Sequence, residues 1–186
     1  TLQSTFIHER ALPDLGDNIK CGNSLIGPDF YDMNTPLFSP LAKGGLKGGS
    51  DALDDEERLR INVFDWEKEF SDIMKAGGFD AVIGNPPYGA EFPESTNTYM
   101  KNRFATFVLR GESYLVFIEK AIVLLKKSGQ FAYIVPDTYL NLGFTQPLRD
   151  YLLQNTKLRE VVSLPSKVFS GATVDTTLLF AEKAER

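Results

Sequence analysis

The arrangement of apolar runs and turn residues predicts an α/β domain with a mainly parallel sheet that ends in an antiparallel hairpin. Three observations carry this. Short β-prone runs alternate with segments of helical length and pattern, the signature of parallel strands joined by crossover helices. Proline closes two of those runs, at Pro86 one residue past Gly84 and at Pro136 directly after Val135, where it ends a ladder. The last two runs, Leu158 to Leu164 and Thr176 to Ala181, have only the loop Pro165 to Asp175 between them, so they pair as a hairpin.

In order along the chain, Asn18 to Ile26 reads as a short strand ending in a turn. Gly27 to about Arg60 mixes Pro28, Pro36 and Pro40 with Gly44-Gly45 and Gly48-Gly49 and an acidic run Asp54 to Glu57, the composition of a flexible insertion, least ordered at Gly44 to Ser50. Asp65 to Met74 is a helix: Asp65 is the N-cap, Trp66, Phe70, Ile73 and Met74 form its apolar side, and Gly77-Gly78 stops it. Phe79 to Gly84 is a strand that delivers the chain into Asn85-Pro86-Pro87. Helices are expected over Tyr99 to Arg110 and Glu112 to Lys127, the second with lysines in its last turn. Gln130 to Val135 is a strand, and Gln146 to Gln154 is a helix opened by Thr145 with Pro147 in its first turn. The carboxyl ends of the strands, where open α/β sheets bind ligands, would gather Asn85 to Tyr88, Pro136-Asp137 and Asn23 at one margin.

Composition narrows the chemistry. The 186 residues are 42% hydrophobic and 24% charged, enough for one buried core. Cys21 is the only cysteine and His8 the only histidine, which speaks against disulfide frameworks, zinc sites and a histidine-centred triad, so no metal is expected. No run approaches the roughly 18 apolar residues of a membrane span, and Thr1 to Arg10 lacks the features of a secretion signal, so a cytoplasmic protein without a membrane partner is expected. The net charge of −5 offers no bulk basic face for phosphates. The chain opens on Thr1-Leu2-Gln3-Ser4 rather than on methionine, as expected of a segment of a longer protein.

The segment Asn85-Pro86-Pro87-Tyr88 carries the chemistry. An exocyclic amine on a purine is a poor nucleophile because its lone pair is delocalised into the ring, and acceptors on both amine protons relocalise it. The Asn85 amide oxygen is one acceptor. The Pro86 carbonyl is the other, held by two prolines that stiffen the backbone and remove competing N–H donors. Tyr88 offers a flat face for a base, a contact worth roughly 1–3 kcal/mol. Asparagine accepts without placing a full negative charge beside a cationic donor. On residue chemistry alone, the same four residues also read as an ordinary turn after a strand.

Gly84-Asn85-Pro86-Pro87-Tyr88 after Phe79-Asp80-Ala81-Val82-Ile83 resembles the fourth motif of the adenine-N6 DNA methyltransferases, in particular type IIG restriction-modification enzymes. Tyr114 to Ala121, Leu124 to Gly129 and Ile134-Val135-Pro136 resemble the helix and strand that follow it. Lys167-Val168-Phe169-Ser170 before Val174-Asp175-Thr176-Thr177 resembles the loop whose aromatic packs on an extruded adenine, and Cys21 to Leu25 resembles the third motif. The resemblance covers about Asn18 to Lys183. It implies a partial Rossmann-like fold that uses S-adenosylmethionine, with Asn85, Pro86 and Pro87 forming the catalytic loop and Tyr88 and Phe169 sandwiching the base. It also implies cofactor contacts from Asn23, Asn85 and Phe117, although the family more often places Asp at the first of these. Phe117 in an apolar helix also reads as a core residue, and Phe169 as a cap on the hairpin. The partner implied is double-stranded DNA with a flipped adenine, met through a longer parent protein.

The family's first motif, a glycine-rich turn followed by an acidic ribose ligand, does not occur upstream of Asn23. The glycines at 44, 45, 48 and 49 follow no strand and make no phosphate-binding loop. A fragment inactive alone, without a target-recognition domain, is therefore expected. Its catalytic strand should be an exposed sheet edge open to self-association. The other readings are a protein glutamine-N5 methyltransferase, which faces a similar amide-nucleophile problem with the same motif, and a non-catalytic scaffold.

Overall fold

In the computed structural model, residues 16–33, 55–90, 92–109, 111–165 and 175–185 are described. Helices α1 (Asp29–Met33), α2 (Asp55–Ile61), α3 (Trp66–Glu69) and α4 (Ser71–Lys75) precede strand β1 (Phe79–Gly84). Helices α5 (Glu94–Arg103) and α6 (Ser113–Leu124) lead to β2 (Leu125–Pro136). Two 3₁₀ turns, Asp137–Leu140 and Gly143–Thr145, then α7 (Gln146–Asn155), β3 (Thr156–Ser163) and β4 (Thr176–Lys183) complete the order.

The sheet order is β1-β2-β4-β3. β1 and β2 are parallel, while β4 runs antiparallel to both of its neighbours. β3 therefore runs with β1 and β2, and the returning arm of the hairpin is inserted between β2 and β3. This is the mainly parallel sheet with a closing hairpin that the pattern predicts, but most of its direct pairings are antiparallel. β1 lies at one margin of the described sheet, and its Ile83 is 80% exposed.

Helix α6 is buried on two sides. Tyr114, Leu115, Ile118 and Ile122 pack with Phe131, Val135, Leu148, Leu152 and Leu179 between the sheet and α7. Val116, on its other side, joins Leu25, Ile26, Phe30, Ile61, Tyr99 and Met100. A buried carboxylate on this helix is satisfied by backbone. Glu119 accepts from the Ala105 N–H at 3.2 Å and the Thr106 N–H at 2.8 Å, and the Thr106 hydroxyl donates to the Leu115 carbonyl.

Several boundaries differ from the sequence pattern for local reasons. The strand expected over Asn18 to Ile26 is a single parallel bridge, Asn23 to Val63. The helix from Asp65 forms with that residue capping the Lys68 N–H, but it breaks at Phe70 into α3 and α4. The helix expected from Tyr99 begins earlier because the Pro93 carbonyl accepts from both the Thr96 N–H and hydroxyl, and it ends at Arg103 where the following amides turn to Glu119. Lys126 and Lys127 do not close α6. Leu125 already pairs with Phe79, and Lys126 forms an ion pair with Asp80 across β1 and β2. Of the expected insertion, the described ends form α1 and α2, with Phe30 in the core. Gly44 to Ser50 lie outside the described residues.

Candidate active site

β1 ends at Gly84, so the chain leaves the sheet at Asn85 beside the carboxyl end of the parallel β2. Gly84 is required by close approach, since a Cβ there would stand 2.8 Å from Cε1 of the Tyr133 ring on β2. Beyond it, the loop is held at three points. Ser113 Oγ donates to the Pro87 carbonyl at 2.8 Å, Tyr88 Oη donates to the Ile134 carbonyl at 2.9 Å, and the Gly89 N–H donates to Glu112 Oε2 at 2.7 Å. Gly89 has φ +65°, a conformation glycine adopts at little steric cost. Just before these anchors, among the described residues, neither the exposed Asn85 side chain nor the carbonyl of the buried Pro86 has a hydrogen-bond partner. Two acceptors are thus left available on a loop whose flanks are tied down.

Asn85, Pro86 and Pro87 border a cleft of about 660 Å³, a size usual for small-molecule sites. Trp66, Phe70, Phe79, Phe117 and Tyr133 form much of its wall, with Gly22, Ser24 and Lys120 as further lining. Trp66 stacks on Phe70 at 5.6 Å, and its ring N–H donates to the Ser24 carbonyl at 3.0 Å, so the wall is tied to the turn around Asn23. Lys120 Nζ lies 5.9 Å from the centre of the Trp66 ring. Burial, and then repulsion from Arg103, draws its pKa below the usual lysine range, with Asp29 and Glu67 opposing. Burial pushes the Tyr133 phenol up to about 12 and raises that of Tyr88.

The residues singled out in the sequence are distributed unevenly. Asn85, Pro86, Pro87 and Phe117 share the cleft. Phe117 also packs against the core cluster that holds Val116, so it is both wall and core. Asn23 is not among the lining residues although Gly22 and Ser24 are, and its side-chain oxygen accepts the Leu25 N–H at 3.2 Å. Tyr88 is half-buried and lies edge-on to Tyr114, with ring centres 6.3 Å apart. Phe169 lies outside the described residues. Sequence reading missed Ser113 and Glu112 as loop anchors, and Trp66, Phe70, Phe79, Lys120 and Tyr133 as cleft walls. For Trp66 and Phe70 the helical spacing was visible, but spacing does not say which ligand-facing surface an apolar side serves.

The family model for Eco57I restriction-modification methylase matches residues 12–169, which include the whole loop and cleft. This chain belongs to that family. It is 30% identical over 162 residues to the type II restriction enzyme and methyltransferase RM.Eco57I of Escherichia coli, a match covering 81% of this chain and 15% of that protein. Among solved structures, a type I restriction-modification methyltransferase subunit from Streptococcus thermophilus is 25% identical, with a TM-score of 0.50 over 59% of this chain and 24% of that one. A Listeria monocytogenes chain assigned to the class I S-adenosylmethionine-dependent methyltransferases has a TM-score of 0.50 at 22% identity, over 58% of this chain and 32% of that one, and shares the fold. This Eco57I-family chain thus spans a small part of the E. coli relative's length. Among its described residues, no helix is long and apolar enough to cross a membrane.

Proposed function

We propose that this chain is the catalytic portion of a cytoplasmic restriction-modification enzyme that methylates adenine N6 at specific DNA sites with S-adenosylmethionine. The observation that carries the reading is the Asn85 amide and Pro86 carbonyl, both without partners among the described residues, on a loop pinned through Pro87, Tyr88 and Gly89. Two acceptors on consecutive residues suit an amine with two protons.

The cleft fits a nucleoside-bearing cofactor. Its wall is aromatic and apolar, with few polar groups, and it ends at the acceptor loop. Phe117 would lie against the cofactor's adenine. Asn23, whose side-chain oxygen is engaged by Leu25, keeps its amide nitrogen for the adenine edge. When bound, S-adenosylmethionine supplies an electrophilic methyl group on a sulfonium.

The chain's own residues do the rest by position and polarisation. Duplex DNA releases the target adenine because its amine is out of reach in the stack. Tyr88 and Phe169 sandwich the extruded base. Asn85 and Pro86 accept hydrogen bonds from the amine, which concentrates the lone pair on N6 toward the methyl group. The proton lost on methylation passes to water, since neither an amide oxygen nor a backbone carbonyl is basic enough to keep it.

The segment from Gly27 to Arg60 is a family-variable insertion in this reading, and no target-recognition domain lies within residues 1–186. The chain by itself is inactive, because it carries no glycine-rich turn for the methionine part of the cofactor. The β1 edge, with Ile83 bare, supports self-association or pairing with another strand. A gel-filtration profile that stays monomeric at high concentration overturns the self-association.

The deciding experiment is transfer of labelled methyl to duplex DNA by the full-length protein, beside an Asn85→Ala variant. Label in N6-methyladenine, lost at least about a hundredfold in the variant with cofactor binding retained, is the expected result. Label in protein glutamine instead moves the assignment to a glutamine-N5 methyltransferase. Label in neither makes the fold a scaffold.

A further inference from the structure

We infer that the loop 137–145 is a rigid apolar prong that meets the DNA bases beside the catalytic loop and holds open the stack from which the target base leaves. This rests on the functional reading above.

The loop displays three large apolar side chains in succession. Leu140 is 45% exposed, Leu142 39% and Phe144 43%, while Tyr139 and Thr145 are buried beneath them. Exposed leucine and phenylalanine on a short loop lose the hydration advantage of polar residues, so their display points to a contact. They are also held in a fixed shape. The Arg149 guanidinium donates to the Tyr139 carbonyl at 2.7 Å, the Leu142 carbonyl at 3.0 Å, the Thr145 hydroxyl at 2.7 Å and Gln146 Oε1 at 2.7 Å. The Thr145 hydroxyl lies 3.1 Å and 2.7 Å from the same two carbonyls, and the Leu142 N–H returns to the Thr138 carbonyl at 3.1 Å. A clamp of half-buried Arg149 and buried Thr145 thus fixes the loop that carries the bare side chains.

Its place decides the partner. The loop leaves β2 at Pro136, as the catalytic loop leaves β1 at Gly84, and the two strands are parallel neighbours. A chain of contacts joins the loops. Tyr88 lies edge-on to Tyr114, and the Tyr114 and Thr138 hydroxyls are 3.1 Å apart. A duplex brought close enough for its adenine to reach Asn85 must present neighbouring bases to the same margin. Apolar wedges of the leucine and phenylalanine type are the side chains that separate base steps. They act on bases rather than phosphates, so this prong needs no basic face.

The test compares two substrates in the full-length protein. The target adenine is located first by mapping N6-methyladenine in plasmid DNA treated with the wild type. A Leu142→Ser/Phe144→Ser double variant is then assayed on a fully paired duplex and on one with an abasic site opposite the target, where the base is already loosened. Binding of S-adenosylhomocysteine and the melting midpoint are measured alongside. If the double variant melts early, Phe144→Ser alone is compared in the same way.

The expected result is at least about a tenfold loss of kcat/KM on the paired duplex and less than about a twofold loss on the abasic one, with S-adenosylhomocysteine binding unchanged. Equal losses on both substrates overturn the wedge and leave a general DNA contact. No loss on either overturns it in favour of a surface that meets protein. A wild type that puts no methyl group on DNA adenine overturns the functional reading itself, a failure visible before any variant is compared.

Discussion

Replacing Gly84 with alanine tests whether β1 is positioned by close packing against its neighbour. The added Cβ would stand 2.8 Å from Cε1 and 3.2 Å from Cζ of Tyr133, where ordinary contact begins at 3.4 Å, so ring or strand must move by about 0.6 Å. On one side the ring is closed off. Its centre is 4.5 Å from that of Phe131, itself buried between sheet and helices. Overpacking of this kind typically costs about 1–3 kcal/mol. The full-length Gly84→Ala protein should therefore melt at a lower temperature and transfer methyl groups more slowly, because the displacement falls on the residue before Asn85. A Tyr133→Leu background removes the clashing ring edge. There, the alanine should cost less by at least about 1 kcal/mol, a coupling that a double-mutant cycle reads directly. The same cost in both backgrounds, or none in either, refutes the packing argument.

Ser113→Ala removes the donor on the Pro87 carbonyl. A net hydrogen bond of about 1 kcal/mol predicts roughly a fivefold slower methyl transfer in single-turnover assays, with cofactor affinity unchanged. Glu119→Ala leaves the Ala105 and Thr106 amides without their acceptor inside the core. It should destabilise by at least about 2 kcal/mol, visible as a lower denaturation midpoint. Burial pushes Tyr114, Tyr133 and Tyr151 up to about 12 from an ordinary 10.0. The unfolded chain releases these protons first, so the stability they contribute is complete below pH 10 and is lost as pH rises toward 12. Tyrosinate absorbance and circular dichroism should then change together in that window. Ionisation of Tyr114, Tyr133 or Tyr151 near pH 10 with the fold intact, resolved residue by residue with Tyr→Phe variants, contradicts this.

What could be read from the sequence follows from how local each signal is. β1 and the loop after it were legible because a β-prone run, a glycine and two prolines are consecutive, and the chemistry of Asn85 and Pro86 needs no distant partner to be recognised. The hairpin β3-β4 was legible as a missing helix, although the insertion of β4 between β2 and β3 is a pairing choice that alternation does not encode. The boundary of α6 was misread because Lys126 and Lys127 are helix-closing residues by type. Their real setting depends on Asp80 and Phe79, which are far away in the chain. The start of α5 was missed for a similar reason: Pro93 and Thr96 form a cap through the proline carbonyl, which no side-chain pattern announces. The cleft wall was the least legible part. Trp66, Phe70 and Phe79 look like the core side of short elements, and only the assembled structure shows them turned toward Asn85.

The division between pinned and free groups in residues 85–89 gives the loop its chemical meaning. Asn85 is exposed, whereas Pro86 is buried, and a carbonyl left without a partner at a buried position is costly for a turn that merely reverses the chain. Here the carbonyl of Pro87, the hydroxyl of Tyr88 and the amide of Gly89 are all satisfied by residues from α6, β2 and the turn before α6. The acceptors of Asn85 and Pro86 are the ones left over. Proline at 86 and 87 removes the N–H groups that could have closed on those acceptors within the loop. In the proposed reading, the pinned backbone holds the Pro86 carbonyl in place before any ligand arrives, with the Asn85 amide beside it in sequence, so little backbone reorganisation is needed to receive an amine. The same logic explains why the anchors come from β2 and from the start of α6, a helix buried on both sides: a loop that must hold its shape is tied to elements with little freedom to move.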